Sequence, residues 1–156
     1  MNLSEQTVSI LKNFSTINQN LLVKPGNVLN TMSAMKNIVA KAEVEEEFTS
    51  EFAIYDLNEF LSAMSLFDKP DLEFSENYVL MSETGKKGKK LKYWFSDPSV
   101  VMAPTKELTM PSDEVRFPLQ SNVLSEVQKA AAVIGAPDMV LESGELRVTD
   151  KKNDTA

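Results

Sequence analysis

Residues 57–80 have the sequence LNEFLSAMSLFDKPDLEFSENYVL, which predicts a helix followed by two short strands. The apolar residues of the helix recur at helical spacing and share one face: Leu57, Phe60, Leu61 and Met64. Two short predicted strands, at 72–74 and 78–80, then flank the turn residues 75–77, as expected for a hairpin. The stretch therefore predicts an amphipathic helix that covers one face of a small antiparallel sheet.

The same order of elements recurs on both sides of this stretch. Upstream, a predicted helix precedes strands at 21–23 and 28–29 around a turn at 24–27. Its apolar face consists of Val8, Ile10, Leu11, Phe14 and Ile17. Downstream, a third helix precedes strands at 139–141 and 146–148 around the turn at 142–145. Its apolar face consists of Val123, Leu124, Val127, Ala131 and Ile134. Three helix-plus-hairpin units predict an α+β fold with the helices on one face of the sheets.

Residues that favour helix ends lie at the predicted boundaries. The expected N-caps are Ser4, Asp56 and Ser121. Glu59 completes an acidic form of the capping box that begins at Asp56. Gly135, followed by Pro137, is expected to end the third helix. Further strands are predicted at 37–43, 48–55, 91–95 and 114–119, where several stretches alternate apolar and polar residues.

The spacing of the units predicts two domains joined by a linker. The turns are marked by Gly26, Asn77 and Gly144, and the second interval is longer than the first by about the length of segment 96–112. That segment contains three prolines, as interdomain linkers often do. We therefore predict a first domain at 1–95, a linker at 96–112 and a second domain at 113–156. The second domain has one unit, so it is expected to be incomplete.

Composition excludes several classes of function. The chain has 156 residues, no cysteine and no histidine, which removes thiolate metal sites and Ser-His or Cys-His catalysis. The remaining carboxylates, lysines and tyrosines form no recognisable catalytic pattern, and no cofactor is predicted. No apolar run reaches the ~20 residues of a transmembrane helix. A cytoplasmic location is the default expectation. The net charge of −7 argues against binding DNA mainly through phosphate contacts.

Several segments resemble the sliding clamp, or DNA polymerase processivity factor, of the T-even-type bacteriophages. The resemblance is carried by residues 11–18 (LKNFSTIN), 53–58 (AIYDLN), 65–66 (SL) and 97–104 (DPSVVMAP). It covers most of the first 110 residues and is weaker after Pro111. The resemblance implies a DNA-clamp fold, in which two similar domains each contain two helix-sheet units and three subunits form a ring.

The resemblance also implies a function without catalysis. Helices of the homotrimer line a hole that encircles duplex DNA without reading its sequence, and the sheets form the outside. An ATP-dependent clamp loader opens the ring, which then tethers the replicative polymerase and assists late transcription. Since such a tether is topological, it is compatible with an acidic chain. With an incomplete second domain, this chain is expected not to close the usual ring by itself.

Three groups of candidate site residues follow from the resemblance or from charge. By resemblance, Lys12 and Lys129 face DNA from the polar sides of the first and third helices; the alternative is that they are ordinary solvated lysines. The densest basic run suggests a DNA or loader contact, or simply a charged hairpin turn: Lys86, Lys87, Lys89 and Lys90. By resemblance, a partner peptide binds beside the linker, unless these residues only pack the linker onto the sheet: Val100, Val101, Met102 and Pro104.

Two other interpretations remain open. A small acidic adaptor that binds a partner protein without touching DNA would fit the charge, although not the three repeated units. A carboxylate-based enzyme would need paired acids in a cleft. The acidic residues at 43 and 45–47 could suggest a site for a hard metal cation. They lack the interleaved Asp/Asn/Gly pattern of a calcium loop, so a solvated strand end or turn is expected there instead.

Overall fold

The computed structural model describes residues 1–83, 88–107, 109 and 112–152. The chain divides into two compact units, Met1–Leu108 and Thr109–Ala156. The helices of the described residues are α1 (Glu5–Ile17), α2 (Leu57–Ser65) and α3 (Ser121–Ile134), and a 3-10 turn is formed by Pro98–Val100. The strands of the first unit are β1 (Leu21–Val23), β2 (Gly26–Met32), β3 (Val39–Phe48), β4 (Phe52–Ile54), β5 (Pro70–Phe74), β6 (Tyr78–Glu83) and β7 (Lys90–Trp94). Those of the second unit are β8 (Asp138–Glu142) and β9 (Glu145–Thr149). Helices with antiparallel sheets confirm the predicted α+β class.

Two of the three predicted helix caps are confirmed. The Ser4 hydroxyl accepts a hydrogen bond from the Thr7 amide at 3.1 Å, which caps α1. The Asp56 carboxylate accepts from the amides of Asn58 and Glu59 at 3.0 and 3.1 Å, which caps α2. These bonds satisfy amide groups that have no partner within the first helical turn.

The third helix begins differently from the prediction. Ser121 is the first helical residue, and the N-cap is Gln120, whose side chain makes no capping bond. Ser121 was therefore the wrong cap, because its position lies one residue inside the helix. The predicted end is confirmed: Gly135 adopts the left-handed conformation with φ 66°, and its amide bonds to the carbonyl of Ala131.

The first predicted hairpin is wrong, because β1 and β2 belong to different sheets. Strand β1 pairs with β4, and β2 pairs with β3, both antiparallel. Between them, Pro25 has no amide hydrogen to donate, and Gly26 has φ 117°, a conformation that side-chain-bearing residues rarely adopt. The segment 24–27 is thus a corner that sends the chain into a second sheet.

The other two hairpins are confirmed. Strand β6 lies between β5 and β7, with Leu72 opposite Met81 and Leu80 opposite Lys92. Strands β8 and β9 pair around the two-residue loop Ser143–Gly144, whose φ angles of 51° and 81° are typical of a type I′ turn.

Two further strand predictions are wrong. Residues 48–55 do not form one strand, because the chain leaves β3 at Phe48 and starts β4 at Phe52 with a different partner. Segment 114–119 alternates apolar and polar residues but forms no strand, and Val115 and Phe117 are exposed. Alternation favours a strand only where a neighbouring strand can accept and donate its backbone hydrogen bonds.

The core of the first unit lies between α1, α2 and the sheets. Each helix buries one face: α1 contributes Leu11 and Phe14, and α2 contributes Leu57, Phe60 and Met64. An aromatic cluster fills the space beneath the strands, with Phe52 stacked on Phe95 at 4.7 Å between ring centroids and in contact with Phe48 and Phe74. Within the described residues, every helix is too short or too polar to cross a membrane.

Candidate nucleic-acid and partner surfaces

Lys12 lies on the exposed side of α1, opposite the buried Leu11 and Phe14 face. The neighbouring helix α2 has no basic residue of its own. Lys69, which follows α2 and has φ 49°, lies beside the same helix surface as Lys12. The helix surface around Lys12 therefore carries sparse positive charge, too little for a conventional phosphate-binding patch.

A groove of about 740 Å³ runs between α1 and α2 beside Lys12. Its apolar walls include Leu3, Val8, Leu61, Met64 and Phe67. This groove was not predicted from the sequence, since the two helices that form it are far apart along the chain. The apolar residues Val8 and Leu61, half-buried on the rim of each helix, are the signal that could have indicated it.

Glu46 fixes the start of α1 and corrects one prediction. It is 8% exposed within β3, whereas a solvated acid was expected. Its carboxylate accepts hydrogen bonds from the Ser4 amide and the Thr7 hydroxyl, both at 2.5 Å. Burial alone would raise the pKa of Glu46, but these hydrogen bonds outweigh it and lower the pKa. Glu43, Glu45 and Glu47 alternate with it and are exposed, as predicted.

Lys129 lies on α3 in the second unit, where its side chain is exposed. Ala132, about one helical turn after Lys129, is uncharged. Lys129 is therefore the single basic residue of α3 between Ser121 and Ile134. Half-buried Leu124, Val127 and Ala131 lie on the opposite side of this helix. Lys12 and Lys129 thus occupy comparable positions, each on the solvent side of the helix of its own unit.

The basic run is only partly described. Lys86 and Lys87 lie outside the described residues. Lys89 and Lys90 are exposed, and Lys90 begins β7 opposite Ser82. The next lysine, Lys92, lies 4.2 Å from the centre of the Tyr78 ring and 5.2 Å from that of Trp94. Its ammonium group therefore stabilises the outer face of the sheet through cation–π contacts.

The predicted linker residues Val100, Val101, Met102 and Pro104 lie within the first compact unit. The backbone of Met102 bonds to two side chains: its amide donates to Asn20 Oδ1 at 2.9 Å, and its carbonyl accepts from Asn18 Nδ2 at 3.3 Å. Val100 is 58% exposed and Met102 38% exposed, while Val101 and Pro104 are half-buried. The structure brings Pro104 into a pocket, as described next, but Val100, Val101 and Met102 do not line it.

This second pocket has a volume of about 340 Å³ and lies between the β2–β3 sheet and segment 104–107. Its lining consists of Lys24, Val28, Asn30, Val39, Lys41, Pro104, Thr105, Lys106 and Glu107. Lys41 Nζ lies 2.6 Å from Glu107 Oε1, which ties the linker segment to the sheet. Glu107 raises the pKa of Lys41 through this hydrogen bond, and Lys41 in turn lowers the pKa of Glu107.

No group of three or more acidic side chains within the described residues is arranged to hold a metal ion. Candidate surfaces among the described residues include the helix side with Lys12 and its neighbouring groove, the exposed side of α3 with Lys129, the basic end of β7 and the pocket under the linker.

The profile of the family described as DNA polymerase processivity factor matches residues 4–94. This match covers α1 through β7, and so both helix-sheet units of the first compact unit. The chain belongs to the DNA polymerase processivity factor family. This result confirms the resemblance noted from the sequence.

The relatives that this chain matches include sliding clamps of bacteriophages. The sliding clamp of Vibrio phage KVP40 is 33% identical over 154 residues, which cover 96% of this chain and 69% of the relative. That of Escherichia phage RB69 is 30% identical over 135 residues, or 84% of this chain and 57% of the relative. That of Enterobacteria phage T4 is 35% identical over 116 residues, which cover 71% of this chain and 48% of the relative. The chain thus spans between about half and about two thirds of the length of these sliding clamps.

Proposed function

We propose that this chain forms part of a sliding clamp that encircles duplex DNA and tethers a replicative DNA polymerase. The observation that carries the proposal is the family match over residues 4–94, across two consecutive helix-sheet units. In this proposal the clamp catalyses no reaction, acts in the cytoplasm of the infected cell, assembles as a homotrimer and assists late transcription. An ATP-dependent loader places it on DNA.

The charge distribution supports a topological tether over a phosphate-binding one. The chain has a net charge of −7, and α2 has no basic residue. A protein that neutralises 6–10 phosphates loses roughly 10³–10⁵ in affinity between 50 and 200 mM salt. A closed ring needs few such contacts, so its residence on circular DNA is expected to depend only weakly on salt. Lys12 and Lys129 are the proposed DNA-facing residues.

The partner surfaces are proposed from the same assignment. Lys89 and Lys90, together with Lys86 and Lys87 outside the described residues, are proposed to contact DNA or the loader. Val100, Val101, Met102 and Pro104 are proposed to bind a partner peptide beside the linker. The exposed side chains of Val100 and Met102 and the nearby pocket support this second proposal.

A primer-extension assay tests the tethering function. The intact gene product, its cognate polymerase and its loader are incubated with ATP on primed circular DNA, with a single-encounter trap. We expect the gene product to lengthen the products, and omission of ATP or loader to abolish the effect. Equal product lengths with and without the gene product would contradict the proposal and favour the DNA-independent adaptor.

A charge-reversal series then assigns the basic run. Lys86, Lys87, Lys89 and Lys90 are changed together to glutamate, and a matched variant carries the reversal Lys36→Glu at an exposed lysine outside both the run and the pocket under the linker. We expect the fourfold variant to load less efficiently while the matched variant loads normally. Normal loading of both variants would remove the basic run from the proposed contacts.

A further inference from the structure

The pocket under the linker has a built-in preference for negative charge. Three of its lining residues are lysines, Lys24, Lys41 and Lys106, whereas its single lining carboxylate is Glu107. This local excess of positive charge contrasts with the net charge of −7 for the whole chain. Charge complementarity of this kind selects an anionic partner group.

The apolar part of the pocket restricts what that partner can be. Val28, Val39 and Pro104 form its apolar walls, and Asn30 provides an amide that can donate or accept hydrogen bonds. Asn30 lies directly opposite Lys41 in the β2–β3 ladder, so the polar groups share one side of the sheet. A site with apolar walls and a few convergent polar groups is typical of ligand recognition.

A carboxylate already occupies part of this site. Glu107, which is 66 residues from Lys41 in the sequence, places its Oε1 atom 2.6 Å from Lys41 Nζ. Both side chains are exposed, at 48% for Lys41 and 69% for Glu107, so the pair can open at little cost. When Glu107 withdraws, the remaining lining has three ammonium groups and no carboxylate, and the acid that still acts on Lys41 is Glu43, two residues later on the same side of β3.

We propose that this pocket binds an acidic residue of a partner's peptide segment, and that Glu107 competes with the partner for Lys41. The segment places an aspartate or glutamate carboxylate on Lys41 and an adjacent aliphatic side chain against Val28, Val39 and Pro104. Glu107 then acts as an internal substitute that weakens binding until the partner displaces it. This inference rests on the proposed peptide-binding role of the linker and specifies the chemistry of the peptide.

The test uses the ¹⁵N-labelled chain and an acetylated, amidated peptide with an Asp-Leu-Leu-Asp core. Binding is followed through the amide chemical shifts of Asn30, Lys41 and Thr105. We expect Glu107→Gln to strengthen binding about fivefold, because it removes an exposed ion pair from the unbound state. Lys41→Gln should weaken binding, and the double variant should show no gain from Glu107→Gln, since the two residues act through one contact.

Two controls separate this effect from general charge. A peptide with an Asn-Leu-Leu-Asn core should bind more weakly to every variant that retains Lys41. Glu76→Gln removes an exposed acid at the β5–β6 turn and should leave the affinity unchanged. Equal affinity of Glu107→Gln and the unmodified chain, equal binding of the two peptides, or shifts confined to other surfaces would each overturn the proposal. The assay contains no DNA or polymerase, so its failure is distinguishable from a failure of polymerase tethering.

Discussion

Helix α2 of the first compact unit and helix α3 of the second are each followed by a hairpin, but the two units bury their apolar residues to different degrees. In the first unit, two helices cover several sheets, and Leu57, Leu72 and Val79 are almost fully buried. Among the described residues of the second unit, Ala136 alone is buried, and Val133 and Met139 remain exposed at 85% and 44%. The comparison shows that amphipathic spacing specifies a helix-plus-hairpin unit, while burial requires several such units packed together.

The largest expected effect is a difference in stability loss between a buried leucine of the first unit and a half-buried leucine of the second. Leu57→Ala removes a fully buried side chain of α2 and should lower the free energy of unfolding by about 2–5 kcal/mol. Leu124→Ala, at a half-buried position of α3, should lower it by less than about 1 kcal/mol. Urea unfolding followed by circular dichroism measures both values. Similar losses of unfolding free energy for the two variants would show that the second unit is packed as tightly as the first.

The next effect concerns the buried carboxylate of the first unit. Glu46→Gln keeps the size of the side chain but removes a charged acceptor of two hydrogen bonds, so it should cost about 1–3 kcal/mol of unfolding free energy. The matched variant Glu45→Gln changes the adjacent exposed acid and should cost less than about 0.5 kcal/mol. Equal costs would indicate that Glu46 does not anchor α1.

The pH dependence of stability provides an independent test of the same residue. The hydrogen bonds lower the pKa of Glu46 in the folded chain below its ordinary value of 4.5. Its stabilisation is therefore present above about pH 4.5 and is lost as the pH falls through the folded-state pKa. Unfolding curves of the unmodified chain and Glu46→Gln should differ most near neutral pH and converge in acid. A constant difference across this range would contradict the assignment.

Changes to the helix caps should have smaller effects on stability, and these effects should be of opposite sign in α2 and α3. Asp56→Ala removes the capping bonds of α2 and should destabilise the first unit by about 1 kcal/mol. Gln120→Asp adds a capping carboxylate to α3, which has none, and should stabilise that helix by about 0.5–1 kcal/mol. Hydrogen exchange of the amides in each helix measures both changes. Faster exchange of α3 in Gln120→Asp would show that its N-terminus is capped in another way.

The smallest predicted effect compares one lysine from each unit. Lys12→Gln and Lys129→Gln should each slightly reduce the weak salt dependence of DNA retention, because each removes one proposed phosphate contact from every subunit. Lys36→Gln, at an exposed lysine outside both helices and outside the pocket under the linker, is the matched control. A change for Lys12 alone would mean that the exposed side of α3 does not face DNA.

Local features of the sequence predicted the local features of the fold. Helical spacing placed α1, α2 and α3, and the caps at Ser4 and Asp56 follow from hydrogen bonds within one turn. The pairing of β1 with β4 was missed, because strand partners are chosen by contacts between distant residues and not by the nearest turn. Burial of Glu46 could have been predicted, since Glu46 lies between the apolar residues Val44 and Phe48 on the same side of β3.

For the candidate site residues, the sequence predicted the exposure of individual side chains and not the contacts between them. The polar sides of the helices placed Lys12 and Lys129 in solvent, and the residues around Val100 indicated an apolar linker surface. The pocket under the linker could not be predicted, because it depends on the contact of Lys41 with Glu107 across two separate parts of the chain. Such contacts are determined by packing, which a single sequence does not reveal.

The most direct test of the account compares retention on circular and linear DNA. The intact gene product is loaded onto nicked circular DNA, washed at raised salt and then treated with a restriction enzyme that opens the circle. We predict that the protein stays bound through the wash and is released when the circle is cut, because a ring slides off a free end. Loss during the wash, or continued binding after cutting, would contradict encirclement.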